Sequence, residues 1–497
     1  MELQLTREAV RFERLVTGAE EQVAIEGEAA LPGSMRDAVT VLSVQAQAHI
    51  QQAQAGNGEA AVRGRVCFQV LYTQGDLTRV RALETTCDFT HSLPMAGVAP
   101  GMRLCVQAGV QETEGTAGSG RMTLRALLGL TAQAFETVEK TLVMGAGEDP
   151  ALRTRMQTVS CCAGETLGEE KTLVRDEFDL PARLGVGDVL SATGVATVSD
   201  LTGGNGRVGV SGVIEVRVLH QPQEAGQPMV ITAHELPFEL SVPAQLAQDA
   251  QVRALAEVTD VMADSVAGDK HRTLRVEAEV TVRLSQCRRR EIALLGDLYS
   301  LSGPLLTPVT EAFDVHADEE HLQARESMRL QVTMPKDAPP IDTVLAAFAQ
   351  PVLSAASPSG RRLDAEGVMG VTLIYLPVDS DIPVSVRVRE PFVMTFPVET
   401  QPGVTAQLCA IECSVGPTTS DRAELRCVLG LTAVRHGVTR VTGVTDVAQS
   451  EAPRQEHGFV LVWPAAGETR WDTARRLRVP QEALKPAGIG ALLAFRK

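Results

Sequence analysis

The sequence predicts a mainly β protein, with three tandem β-sandwich-like repeat domains followed by a small α+β module. Three observations lead there. Aromatic residues are only 3% of the chain, so Val, Leu, Ala and Thr supply the bulk, a composition that favours strands. Short apolar runs are punctuated by 42 Gly and 26 Pro, the residues of turns. The same alternating strand also returns three times. With 44% apolar and 22% charged residues the chain has the balance of folded domains, and 497 residues exceed one ordinary core.

The recurring strand reads GRVCFQVLY from Gly64, GVIEVRVLH from Gly212 and GVMGVTLIY from Gly367. Val66, Phe68, Val70 and Tyr72 share one face; Ile214, Val216, Val218 and His220 correspond, as do Met369, Val371, Leu373 and Tyr375. Period two marks a half-buried strand. The Gly that opens each segment is expected at a bulge or turn where a Cβ would be costly.

Other landmarks keep step. Pro32, Pro181 and Pro335 precede the Gly by 64−32 = 32, 212−181 = 31 and 367−335 = 32 residues. Phe89, Phe238 and Phe392 follow it by 25, 26 and 25. A second strand begins Leu124-Arg125, Leu274-Arg275 and Leu425-Arg426. Its apolar face carries Leu124, Ala126, Leu128 and Leu130, matched by Leu274, Val276, Ala278, Val280 and by Leu425, Cys427, Leu429, Leu431. The Gly landmarks lie 212−64 = 148 and 367−212 = 155 residues apart, long enough for each repeat to hold its own core. The domains are placed at residues 1–150, 151–300 and 301–450, with residues 455–497 as the terminal module. Residues 202–207 and 113–121 read as turns between strands.

These repeats resemble the SPOCS domain of spore coat and morphogenesis proteins. The resemblance rests on Gly64, Phe89 and Leu124-Arg125, on Gly212, Pro237-Phe238 and Leu274-Arg275, and on Gly367, Pro391-Phe392 and Leu425-Arg426. The first repeat has Cys87-Asp88 where the others have Pro before Phe.

Beyond a small polar stretch after Asp446, residues 459–463 alternate as a strand, Gly467-Glu468-Thr469 forms a turn and Trp471 opens a helix. Thr469 caps that helix, with Asp472 as its capping-box partner. A second short helix is expected near Pro480 and a closing strand at residues 492–495. This βααβ order, with Trp471, Ala474, Leu477, Val479 and Leu484, resembles a LysM domain. Arg470 and Thr473 depart from its pattern, and the Asn usual after the second helix is missing.

Repeats of SPOCS type with a terminal LysM resemble spore morphogenetic proteins. In that family the LysM is implicated in binding the coat-basement ATPase rather than peptidoglycan. The resemblance implies a non-enzymatic scaffold in the mother-cell cytoplasm at the forespore surface. Its partners would be that ATPase and other coat proteins, with self-association open. Glycan binding by the LysM, as in a cell-wall protein, is the alternative. The expected partner-binding residues are Gly467, Glu468, Thr469, Trp471, Arg475 and Arg476, with Trp471 read as an exposed aromatic or as core.

Charge supports the division. The net charge is −16; residues 455–497 hold seven Lys/Arg and four Asp/Glu, giving +3, so the remainder carries −16 − 3 = −19. An acidic body argues against nucleic acid. No run of about twenty apolar residues predicts a transmembrane helix, and no signal peptide is expected from MELQLTREAVRFERL. Nine cysteines at irregular spacing fit a reducing compartment without a disulfide framework.

Cys409 and Cys413 read as buried or incidental, and Cys161-Cys162 only secondarily as a local disulfide. His316 and His321, with Asp318, Glu319 and Glu320 between them, read as a solvated acidic turn rather than a metal site. Arg288-Arg289-Arg290 reads as an exposed strand end, and Arg125, Arg275 and Arg426 as paired with carboxylates. With no phosphate loop, no nucleophile elbow and no metal-ligand pair, neither catalysis nor a cofactor is expected.

Overall fold

Period-two patterning becomes strand almost throughout the computed structural model, which describes all residues except 1–2, 32–38, 76–77, 119, 225, 249, 268–270, 452–457, 489 and 497. The first repeat contains β1 (Leu5–Ala30), β2 (Val39–Ala55), β3 (Glu59–Gln74), β4 (Arg81–Pro94), β5 (Arg103–Gly118) and β6 (Arg121–Ala146). The second contains β7 (Leu152–Pro181), β8 (Val186–Gly204), β9 (Arg207–Pro222), β10 (Val230–Pro243), β11 (Gln251–Ala267) and β12 (His271–Ser300). The third contains β13 (Leu305–Thr333), β14 (Ile341–Ser359), β15 (Arg362–Pro377), β16 (Val384–Phe396), β17 (Val404–Thr419) and β18 (Arg422–Ser450). The chain ends with β19 (Gly458–Val462), α1 (Arg470–Leu477), β20 (Lys485–Pro486) and β21 (Leu492–Arg496).

Each repeat folds into the same two antiparallel three-stranded sheets. They are β1-β6-β5 with β2-β3-β4, β7-β12-β11 with β8-β9-β10, and β13-β18-β17 with β14-β15-β16. The expected apolar faces lie inward between them: Leu124, Ala126, Leu128 and Leu130 are fully buried, facing Val66, Phe68 and Val70 in one core. The equivalent residues fill the cores of the second and third repeats. The turn at residues 202–207 is a two-residue hairpin, with Asn205 and Gly206 at φ 49° and 74°. Asn-Gly relieves the steric cost of two successive positive φ angles there.

The landmark glycines lie inside strands, for β3 begins at Glu59, upstream of Gly64. Gly64 pairs with Phe89, Gly212 with Phe238 and Gly367 with Phe392. On the other side each faces the neighbouring strand at a register shift, at Ile50/Gln52, Val198/Asp200 and Leu353/Ala355. A Cβ on Gly64 would lie 2.6 Å from the His49 carbonyl oxygen and 2.7 Å from the Phe89 ring. The bulge and the aromatic ring together explain why the repeat has Gly there.

Side chains outside these three cores converge in apolar clusters shared by all three repeats. Leu42, Leu190 and Leu345, with Leu71, Leu219 and Ile374, form one such cluster. Their spacings, 190−42 = 219−71 = 148 and 345−42 = 374−71 = 303, match those of the landmark glycines. Val10 and Phe12, Val159 and Cys161, Phe313 and Val315 meet in another, on the long strands β1, β7 and β13.

Polar contacts close the joints in turn. His49 Nδ1 meets Glu257 Oε1 at 2.6 Å between the first and second repeats. Arg217 pairs with Glu412 at 3.1 Å between the second and third, and Gln350 Nε2 donates to the Val110 carbonyl at 2.7 Å between the third and first. A cavity of about 950 Å³ between the repeats is lined by residues of all three, including His49, Arg217, Arg325, Gln350 and Arg387.

Candidate functional site

The terminal module is built from the segment expected to bind a partner. Thr469 caps α1 through the Asp472 N–H, and Asp472 Oδ2 accepts from the Thr469 N–H at 3.0 Å, completing the capping box. The expected second helix is only one 3₁₀ turn, Gln481–Ala483. The closing strand β21 lies between β19 and β20.

Of the two readings of Trp471, core is the one realised; as an exposed aromatic it is corrected. The residue is 8% exposed and packs edge-on against Tyr299, ring centroids 5.0 Å apart. Its indole N–H donates to Asp297 Oδ2 at 2.7 Å, and Arg475 Nη1 reaches the same oxygen at 2.8 Å. Tyr299 Oη donates to the Val479 carbonyl, and Arg478 donates to the Ser300 and Gly303 carbonyls. Helix α1 is thereby fastened to the end of β12. Arg476 is half exposed and turned onto Glu468, whose carboxyl it holds below its ordinary range. Gly467 takes φ 80° in the turn before the helix.

The exposed tryptophan of the module is instead Trp463, at 61% exposure. Phe459 and Leu461 precede it at period two on β19, and Phe495 lies opposite Phe459 on β21; all are exposed. Val460 and Val462 face inward. The sequence signal was the absence of any polar face in residues 459–463. Ordinary surface strands alternate with polar residues.

A second concentration of chemistry lies where the three repeats meet. His316 and Glu319 are on β13, not on a solvated turn; that expectation is corrected, because Ala317 forms a bulge that turns both side chains inward. His316 is fully buried, and the side chains of His436 and Glu319 are 3% and 9% exposed. His316 Nε2 lies 3.4 Å from His436 Nδ1, and its Nδ1 lies 3.4 Å from Glu13 Oε2. Glu13 also accepts from Arg103 Nη2 at 2.9 Å and from the Gly164 N–H at 3.1 Å, so it touches all three repeats. Phe135 packs against both imidazoles, and the Arg103 guanidinium lies over its ring.

Burial pushes His436 down to about 4, leaving it uncharged at neutral pH. Burial pushes the Glu319 carboxyl up, but the hydrogen bond from His321 and the surrounding positive charges outweigh it and hold it at about 2. With His436 neutral, Arg103 and Arg253 are the fixed cations beside it, Arg253 at 3.0 Å. Sequence reasoning missed Glu13, Arg103 and His436 because they meet only through the packing of distant strands.

Arg275 pairs with Glu177 at 2.8 Å and Arg125 with Glu114 at 3.7 Å, whereas Arg426 stands opposite Arg329 in the sheet register. Arg288, Arg289 and Arg290 are exposed, but β12 continues to Ser300, so they are no strand end. Cys409 is exposed, and Cys413 Sγ lies 3.6 Å from that of Cys427. Cys162 is joined to Cys287 as a disulfide, against the expectation of none. The two stand on paired strands but 125 residues apart in the chain, a separation that hid the pairing.

The fold and its sites define a mainly β protein of small antiparallel sheets, with an apolar face displayed on its terminal module. Residues 37–116, running from the start of β2 into β5, match the family described as SipL, SPOCS domain. That stretch is similar to a SPOCS domain. No curated protein and no solved structure gives a significant match. Among the described residues no helix is long and apolar enough to cross a membrane.

Proposed function

We propose that the chain is a non-enzymatic spore-coat morphogenetic scaffold. Its C-terminal LysM-like module, residues 455–497, docks onto a coat-basement ATPase at the forespore surface, on the mother-cell side. Residues 1–150, 151–300 and 301–450 act as three sandwich-like units that give this module a rigid base.

The observation that carries the reading is the exposed apolar face of Phe459, Leu461, Trp463 and Phe495. Contiguous apolar surface on a folded module is costly in water and marks an interaction face. Trp471 and Arg475 hold the module on the body, and the turn from Gly467 to Thr469 with Arg476 supports the helix behind that face. The SPOCS match supports the sporulation context. The basic balance of the tail against the acidic body is consistent with a partner that the body itself does not attract.

The test is recovery of the coat-basement ATPase from sporulating cells with the tagged full chain, with a chain ending at residue 454, and with a Phe459→Ser/Trp463→Ser variant. Recovery with the full chain and its loss with the other two supports the reading; equal recovery with all three contradicts it. Exposed aromatics also stack on sugars, which favours N-acetylglucosamine polymers as the second reading. Retention of the full chain on chitin, lost in the Phe459→Ser/Trp463→Ser variant, would select it.

A further inference from the structure

We propose that His316, His436 and Glu319 form a binding site for a divalent metal ion of the zinc class. Their ligand atoms lie within 4.8 Å of one another. His316 Nε2 is 3.4 Å from His436 Nδ1, and that nitrogen is 3.6 Å from Glu319 Oε2. Metal bonds of about 2.0–2.1 Å in a tetrahedron place neighbouring ligand atoms about 3.3 Å apart, so two edges of the polyhedron already stand near their required length.

The hydrogen-bond pattern leaves lone pairs on His316 Nε2 and Glu319 Oε2, while His436 Nδ1, which faces both acceptors, gives up its proton to make way for the ion as the ring takes the Nε2–H tautomer. His316 Nδ1 faces Glu13 Oε2 at 3.4 Å, so its proton belongs on Nδ1 and its Nε2 is an acceptor. A carboxylate behind a metal-bound histidine is the usual outer partner of such a site. Glu319 Oε1 is occupied by Arg253 and His321 at 3.0 and 2.7 Å. Among the described residues, Glu319 Oε2 is buried without a hydrogen-bond partner. An unmatched carboxylate oxygen in a buried site is costly, and a cation accounts for it.

Two features set the strength of the site. Arg103 Nη2, 3.8 Å from Glu319 Oε2, repels a cation, while its tighter contact with Glu13 draws its charge aside. Phe135 covers both imidazoles and excludes bulk water. An ion held here has a structural role, tying β13 to β18 and, through Glu13, to the first and second repeats. Binding requires neutral histidines and therefore weakens as pH falls.

The experiment uses the full chain, stripped with chelator and titrated with Co²⁺ and then Zn²⁺ in a competitive-indicator assay. Wild type is expected to take up one equivalent lost in His436→Gln, with a Co²⁺ d–d absorption band and a rise in Tm. Glu13→Gln is expected to weaken binding about 10–100-fold while keeping the stoichiometry. Circular dichroism and Tm without metal establish that each variant is folded; should His436→Gln fail to fold, Glu319→Gln takes its place. Equal uptake by wild type and the folded variant, or no uptake by wild type, overturns the site and shows a hydrogen-bonded histidine pair only.

Discussion

Trp471 and Arg475 converge on one oxygen, Asp297 Oδ2, at 2.7 and 2.8 Å. Asp297 is 3% exposed, so its charge is balanced by these partners rather than by water. Removing one partner of a buried ionic contact strands the other. Asp297→Ala is therefore expected to detach α1 from β12, read as faster amide exchange across residues 470–484 with the three repeat cores unchanged. Trp471→Ala should cost roughly 3–5 kcal/mol, as for other buried aromatics. Unchanged exchange in both variants would show that the docking does not depend on this contact.

Gly212 tests the packing of the repeat. An added Cβ would lie 2.3 Å from the Thr197 carbonyl oxygen and 2.5 Å from the Phe238 ring. Backbone cannot yield as a side chain does, so Gly212→Ala is expected to destabilise by about 1–3 kcal/mol in denaturant titration. Gly145→Ala is the control, for nothing among the described residues lies within 4 Å of the place its methyl group would take. Equal midpoints for the two variants would contradict the packing argument.

His220 predicts an acid-sensitive step. Burial first, then the charges of His234 and Arg272, lower it to about 4. A histidine whose folded value lies below its unfolded value of about 6.5 favours the unfolded chain as pH falls from about 6.5 towards 4. The loss between pH 8 and pH 5 is about 2 kcal/mol. Tyr72 and Tyr375 occupy the equivalent places, so His220→Tyr should remove that part of the pH dependence while folding normally. Parallel stability–pH curves for wild type and variant would refute it.

His49 acts in the opposite direction. Burial lowers its value, but hydrogen bonds with Cys67 and Glu257 prevail and raise it to about 9. Its contribution to the joint between the first and second repeats is fully present below about pH 6.5 and lost as pH rises through about 9. His49→Gln should abolish that alkaline loss, measured by thermal unfolding from pH 6 to 10. If the variant loses stability over this range as wild type does, the pair does not hold the joint.

Much of the fold was legible because its signals are local. Period two located the strands, and the inward faces of Val66–Tyr72 and Leu124–Leu130 followed directly. The contacts between repeats were not legible from period alone: Leu71, Leu219 and Ile374 lie on the face that alternation assigns to solvent. Their threefold recurrence was the available sign, since a repeated apolar residue on a polar face needs a cover. In the tail, alternation located β19 but could not say which face was covered. Trp471 is buried because Asp297 awaits it 174 residues upstream, with Tyr299 beside it, a relation no local pattern contains.

Affinity reads out whether the terminal module docks through its exposed apolar face. The purified full chain and its Trp463→Ser variant would be titrated against the purified coat-basement ATPase, with circular dichroism to verify the fold. Trp463 is already exposed, so its replacement should leave stability within about 0.5 kcal/mol. Truncating an aromatic anchor at an interface costs about 2 kcal/mol or more, so docking through this face requires a Kd weakened at least roughly thirty-fold in the variant. An unchanged Kd for the folded variant would contradict it.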